Sequence, residues 1–388
     1  MAGSRKIRRF DQYVLRGKLR QEGFERWRYV FSALNKVSGQ ERKFFIELYL
    51  VNPALSPKAA VISQKSRLAY SESDLQYVLA GTESAAHAND ELDVKPSYVL
   101  VKAGVFGSAG KQMNKFYASS LLSFIRNTET FKVGDCLFGS GSLSGTVSVT
   151  QQDLRLRPEL LCNAGSLTWE LKFDRMIESA PLYNRKNCLW APVGAKALFS
   201  GSVNLDGQEY VVVPKSSNGY IDKSWGERPN SPYFHLSSSK MTSIITGRVM
   251  MNSCFCLEGE FGGKLCAVLN VEGVKYSVEN RSIFKKDMII HDCSQSNNAT
   301  DGDKVHWTVS IHKGKFVIDI DIFCRGRDMF VRDYEMPGGK RRLLKILGGL
   351  GSGEIRVYKK VRKNLELLEH ANVSDAICEF GQTEEVGK

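Results

Sequence analysis

The 388-residue sequence predicts an all-β protein of two antiparallel barrels or sandwiches packed together, with few helices. Three observations predict it. Short β-rich runs bounded by Gly, Asn, Ser or Pro recur along the chain. Three segments read as tight hairpins, turning at Asp206-Gly207, Glu272-Gly273 and Lys313-Gly314. The run Lys315–Phe323 alternates cleanly: Phe316, Ile318, Ile320 and Ile322 fall on one face, Val317, Asp319, Asp321 and Phe323 on the other. Period-two alternation marks a half-buried antiparallel strand.

In chain order, the first strands are expected at 27–31, 44–51, 98–105, 145–149 and 167–173. A second series is expected at 197–203, 210–213, 244–250, 254–257, 265–271, 274–278, 288–291, 305–311, 315–323, 353–358 and 376–380. Helical signals are confined to 73–79, 116–125 and a basic stretch near Lys340. A single core rarely grows past about 250–300 residues, so two units are expected. The loop-like "NRKNCLWAPVGAKA" suggests units of 1–195 and 196–388.

Composition narrows the function classes. A hydrophobic share of 42% with 25% charged residues fits a soluble globular chain rather than a disordered one. No apolar run approaches the ~18 residues needed to span a bilayer. Nine cysteines without a CxxC pair fit reduced thiols. MAGSRKIRRF is basic, but no apolar leader follows it. A cytoplasmic protein is expected. The net charge of +12 invites nucleic acid or an anionic membrane as partner. No zinc-finger, RNP or helix-turn-helix pattern supports nucleic acid.

The familiar catalytic patterns are missing. "GSGSLSG" and "GGLGSG" complete neither GxGxxG, a P-loop nor a serine elbow, and read as loops. Cys254 and Cys256, with His291 and Cys293, lack metal-ligand spacing and read as core thiols. His306 and His312 read as ordinary strand histidines. Neither a metal nor a cofactor is implied. "MPGGKRRLLKILGGLG" interleaves Lys340, Arg341, Arg342 and Lys345 with Leu and Ile. It is expected as a short surface helix packed on the barrel. Its alternative use is peripheral contact with an anionic membrane.

The most informative stretch is "GYIDKSWGERPNSPYFHLS", Gly219 to Ser237. Asp222, Glu227 and His235 are its titratable groups; Trp225, Tyr233 and Phe234 supply apolar walls. At a barrel mouth, Asp222 would be desolvated, its pKa would rise, and it could donate a proton near neutrality. The same residues also suit a wide turn whose Trp plugs a barrel end. The residues alone leave both readings open.

"GYIDKSWG" resembles the motif GY-x-[DE]-x-[NS]-WG of the tocopherol cyclase family, which is grouped with carotenoid hydratases and related lipocalin-like proteins. "FERWRYVFSAL", "ALFSGSVNLDGQEYVV", "GSGEIRVYKKV" and "ANVSDAICEFG" resemble further family segments in the same order, spanning about residues 20 to 381. The resemblance implies two lipocalin-like barrels with an apolar cavity, and acid-initiated cyclisation or hydration of a prenyl alkene. Asp222 would be the proton donor, with His235 second. Trp27, Trp225 and Tyr233 would line the pocket and face a developing cation. Arg28 would bind an anionic head group. Glu354 and Arg356, sharing a strand face, would form a polar floor or a structural ion pair. The family's aromatic run is here Tyr233, Phe234 and His235. Arg26 and Arg28 stand where the family has Gly and Tyr. These departures imply a more polar substrate, and the lack of a plastid transit signature implies a bacterial homologue. A non-catalytic carrier of a hydrophobic small molecule is the competing reading.

Overall fold

The computed structural model describes residues 13–55, 60–61, 95–125, 130–157, 160–179, 182–185, 188–279, 287–298, 302–338 and 342–385. The protein is nearly all β, as the hairpins and alternation predict. A 13-stranded sheet and an 11-stranded sheet account for most of it. The first curls into a barrel and takes in every strand from Phe24–Asn35 to Gly219–Gly226, except the short pair Ala60–Val61 and Lys95–Pro96. The second begins at Tyr233–Ser238 and ends with the 22-residue strand Asn364–Glu385.

The predicted hairpins close as expected. Leu205 pairs with Gln208 and Val271 with Val274, around Asp206-Gly207 and Glu272-Gly273. All four turn residues have positive φ, the mark of the primed turns that match strand twist. The third hairpin turns at Gly314-Lys315, one residue later than read, with Lys313 opposite Phe316.

Several expectations are corrected. The 116–125 segment is not a helix: it holds the end of the Lys111–Tyr117 strand, a 3-10 turn and a short strand, Leu122–Phe124. Edge pairing with Phe131–Val133 outweighs its weak helical pattern. The basic stretch is a strand too. Arg342–Val361 runs beside Asn364–Glu385, where Lys345 pairs with Glu384 at 2.6 Å. Its alternating Leu and Ile serve a sheet rather than a helix face. Residues 73–79, Lys340 and Arg341 lie outside the described residues. The strand expected at 244–250 is a turn, and pairing there belongs to Lys240–Ser243. A short helix that the sequence reading missed, Gln151–Leu156, starts at a capping box between Thr150 and Asp153.

The expected loop around residue 195 lies inside a long bent strand, Cys188–Leu205. The step from one sheet to the next falls between Gly226 and Tyr233. Each sheet has its own apolar core. Trp27, Phe31, Phe131, Trp169 and Phe199 fill the first barrel; Phe255, Trp307, Ile318, Ile320 and Ile322 fill the second. Between the sheets runs a third buried layer, the seam. Phe45, Trp190, Tyr220 and Cys256 pack one part of it, and Phe24, Tyr49, Tyr334 and Leu344 another.

Candidate functional site: a buried ionic seam

The Phe24–Asn35 strand lies antiparallel to Gly219–Gly226, with Arg28 opposite Asp222 and Trp27 opposite Lys223. Side chains alternate across a strand. Arg26 and Arg28 with Tyr220, Asp222 and Ser224 therefore enter the seam. Glu25 and Trp27 with Lys223 and Trp225 enter the barrel. "GYIDKSWG" is thus a strand with partners on both sides, not a wide polar crossing. Its Asp and its Trp serve different spaces.

Asp222 is fully buried and accepts four hydrogen bonds. Arg28 Nε donates to Oδ1 at 3.0 Å and Arg28 Nη2 to Oδ2 at 2.6 Å. Trp190 Nε1 and the Tyr220 hydroxyl also donate to Oδ2, at 3.0 and 2.8 Å. Burial pushes the Asp222 carboxyl up, but Arg28 and then Arg26 outweigh it and hold it at about 2. This reverses the direction expected from the sequence. Asp222 is a fixed carboxylate and carries no proton to donate near neutrality.

The second sheet supplies the other half. His235, from Tyr233–Ser238, lies with both ring nitrogens within 3.2 Å of Arg28 Nη2. Burial, then Arg28, lower its pKa, so the imidazole is neutral. Glu379 takes Arg28 Nη1 at 2.7 Å and also pairs with Arg332, which holds Glu47 in turn. Burial raises the Glu379 carboxyl, but Arg28 and Arg332 drive it well below the usual range. Glu258 takes Arg26 at 3.0 Å, Ser224 at 2.9 Å and the Tyr233 hydroxyl at 2.9 Å. Three guanidiniums and four carboxylates are thus interleaved in one buried layer. Pairs of this kind seldom add net stability over an apolar layer, yet removing one partner is costly. Ionisable groups packed this way mark a candidate functional centre.

Asp222, His235 and Glu258 offer ligand atoms within 4.8 Å of one another, the spacing of a metal site. Arg28 Nη2 sits among them, 2.6 Å from Asp222, 3.1 Å from His235 Nε2 and 3.9 Å from Glu258. The guanidinium is the cation of this set.

At the end of the seam lies a cleft of about 590 Å³, whose lining includes Lys18, Glu227, Arg228, Pro229, Pro337 and Arg342. Pro229 also lines a slit of about 10 Å³ next to it. The slit walls are Phe24, Tyr49, Tyr334 and Leu344, and its polar lining is Arg26, Ser224, Asn230, Tyr233 and Glu258. Asn230 is 2% exposed. Among the described residues neither of its amide atoms has a hydrogen-bond partner, and neither has Arg26 Nε. Buried polar groups are nearly always satisfied, so these orphans point to a missing partner.

The structure gathers Asp222, His235, Arg28 and Tyr233 in the seam as one group. Trp27 and Trp225 are turned away into the barrel, where Lys223 lies 4.2 and 5.2 Å from their rings. Glu354 and Arg356 pair with each other elsewhere, half-exposed on the second sheet, with Asp321 and His370. Glu227 is exposed on the turn between the sheets. The sequence reading missed Glu47, Glu258, Arg332 and Glu379. One signal could have found the three glutamates: an acid following an apolar run inside a strand, as in "FFIELYLV", "CFCLEGE" and "ICEFG".

Among the described residues no helix is long and apolar enough to cross a membrane. No family model and no curated protein sequence matches the chain. Among solved structures, it is similar to that of CghA with Sch210972, with a TM-score of 0.46 and 9% identity over 95% of this chain and 90% of that one. It is similar to a Nitrosomonas europaea protein provisionally assigned as AttH, with a TM-score of 0.45 and 11% identity over 92% of each chain. It is also similar to kievitone hydratase from Nectria haematococca, with a TM-score of 0.39 and 10% identity over 92% of this chain and 88% of that one.

Proposed function

We propose that the protein binds a small organic molecule at the cleft and slit of the seam and promotes its cyclisation or hydration there. The observation that carries this reading is the set of orphaned groups at the slit: Arg26 Nε and both amide atoms of Asn230. They offer two donors and one acceptor to an oxygen-bearing head, while the body of the molecule would lie in the larger cleft. A cleft of about 590 Å³ is in the usual range for small-molecule sites. The resemblance of "GYIDKSWG" to a cyclase and hydratase motif supports the same class.

The proton logic differs from the expected one. Asp222 does not protonate an alkene; it fixes Arg28. The slit instead presents two unused donors, Arg26 Nε and the Asn230 amide, that suit a carbonyl oxygen gaining negative charge. The fitting reaction adds an O–H group across an alkene conjugated to that carbonyl. The nucleophile oxygen bonds to the β-carbon, the π electrons move to the carbonyl oxygen, and the released proton returns at the α-carbon. Water as nucleophile gives hydration; a hydroxyl of the same molecule gives ring closure.

The test is incubation with prenylated quinones and enones in deuterated buffer, read by mass spectrometry. A product carrying one carbon-bound deuterium supports the reading. Asn230→Leu should abolish turnover without loss of stability, because it removes unsatisfied polar atoms. Turnover unaffected by Asn230→Leu would overturn the assignment. The narrowness of the slit favours a second reading, a carrier: ligand retained on extraction, with no product, would establish it.

A further inference from the structure

We infer that one end of the second sheet is a docking surface for an anionic lipid bilayer. The Arg342–Val361 and Asn364–Glu385 strands join at a two-residue turn, Arg362-Lys363, with Val361 opposite Asn364. Beside it lies the turn at Gly314-Lys315, held by the Lys360 amide donating to the Lys315 carbonyl at 2.7 Å. Lys315, Lys359, Lys360, Arg362 and Lys363 are all exposed. None forms an ion pair with another described residue. Glu366 is the one acid in the hairpin tip from 359 to 368.

The tip is also apolar where water should favour polar groups. Leu365, Leu367 and Leu368 are each about half exposed. Leu368 is the extra residue of a bulge between the Val357–Glu369 and Tyr358–Leu367 pairs. A bulge re-aims side chains and twists the strand end outward. Next to it, the Ile244 amide donates to the His370 carbonyl at 2.7 Å, where the chain leaves the sheet. The turn that follows exposes Ile244, Ile245, Val249 and Met251, between 45% and 62% each, with Arg248 among them. Apolar residues from two neighbouring turns thus share one end of the sheet.

Arg362 adds a second observation. Its φ is +56°, in the left-handed region that favours Gly or Asn. The turn presents a cation at a position where its backbone would prefer none. Exposed apolar groups rimmed by uncompensated cations match a bilayer with acidic headgroups: the cations draw it in, and the Leu and Ile side chains enter the interface. A nucleic acid would match the charge but leave the apolar residues unexplained. The reading is independent of the ligand assigned to the seam.

The experiment is sedimentation of the full chain with phosphatidylcholine vesicles, with and without 30 mol% phosphatidylserine. Binding to the acidic vesicles, and release at about 0.5 M salt, is expected. Each cation near the surface contributes roughly fivefold, so Arg362→Glu with Lys363→Glu should weaken binding more than tenfold. Leu367→Ser with Leu368→Ser should weaken it as well, with an unchanged melting temperature. Lys345→Glu, paired elsewhere, should have no effect. Equal binding to neutral vesicles, or binding that survives both double variants, would overturn the inference. So would a dimer that the leucine variant splits, because the apolar patch would then be a self-interface.

Discussion

Arg28 and Asp222 face each other on adjacent strands as a bidentate pair, sealed from solvent between two sheets. The pair is the centre of the seam, because Arg28 also reaches His235 and Glu379 from the opposite sheet.

Asp222→Asn should therefore cost on the order of 3–5 kcal/mol, since it breaks a buried bidentate pair and leaves Arg28 with Glu379 as its nearest remaining carboxylate. An amide offers one acceptor where four donors converge. Urea unfolding followed by tryptophan emission would measure it, with Trp190 beside the change. A loss below about 1 kcal/mol would mean that Glu379 alone compensates Arg28.

His235 sets a pH dependence. Its folded pKa is lowered, by burial first and then by Arg28, so the unfolded chain takes up a proton before the folded one. Stability is then full above the unfolded value near 6.5 and is lost as pH falls through the folded value. Unfolding measured between pH 7.5 and 5 should show this slope. The slope should flatten in His235→Gln, which has no proton to gain.

Lys102 gives a second window, on the alkaline side and with the same sign. It is buried with its Nζ donating to Asn114 at 3.2 Å, and burial lowers its pKa to about 8. Between about 8 and 10.5 the unfolded chain holds a proton that the folded chain has released, so stability should rise with pH there. The gain is on the order of 3 kcal/mol by linkage. Lys102→Met should remove it; an unchanged rise would place its origin in another group.

Glu25 ties the start of the described chain to the first barrel. Its carboxylate accepts from the amides of Val14 and Leu15 at 3.0 and 3.3 Å, from Trp27 at 2.8 Å, and pairs with Lys223 at 2.7 Å. Glu25→Ala should speed hydrogen exchange at Val14 and Leu15 and, by taking the carboxylate from the buried Lys223, loosen the first barrel's strands as well. Exchange that stays slow would mean that Leu15 packing alone holds the segment.

Much of the fold is legible in the sequence because it rests on local chemistry. Asp206-Gly207 and Glu272-Gly273 specify their turns, and Ile318 to Ile322 alternates without a break. The site is legible only in part. Arg28, Asp222, Tyr233 and His235 stand out by type. Their partners Glu258 and Glu379 arrive from strands far along the chain, and sheet pairing at that range leaves no local trace. The wrong direction for the Asp222 pKa has the same origin: burial could be guessed, but not the guanidinium beside it. Trp225 lies three residues from Asp222 and Trp27 next to Arg28, and the strand period turns both away from the seam.

The Gly219–Gly226 strand is a party wall. One side of it belongs to the barrel and the other to the seam, and consecutive residues answer to different rooms. Its sequence therefore has a parity as well as a composition. Losing or gaining one residue would put Lys223 and Trp225 among the guanidiniums and Asp222 in the aromatic core, while a change of two would restore the sides. Length variation along this strand should come in even steps.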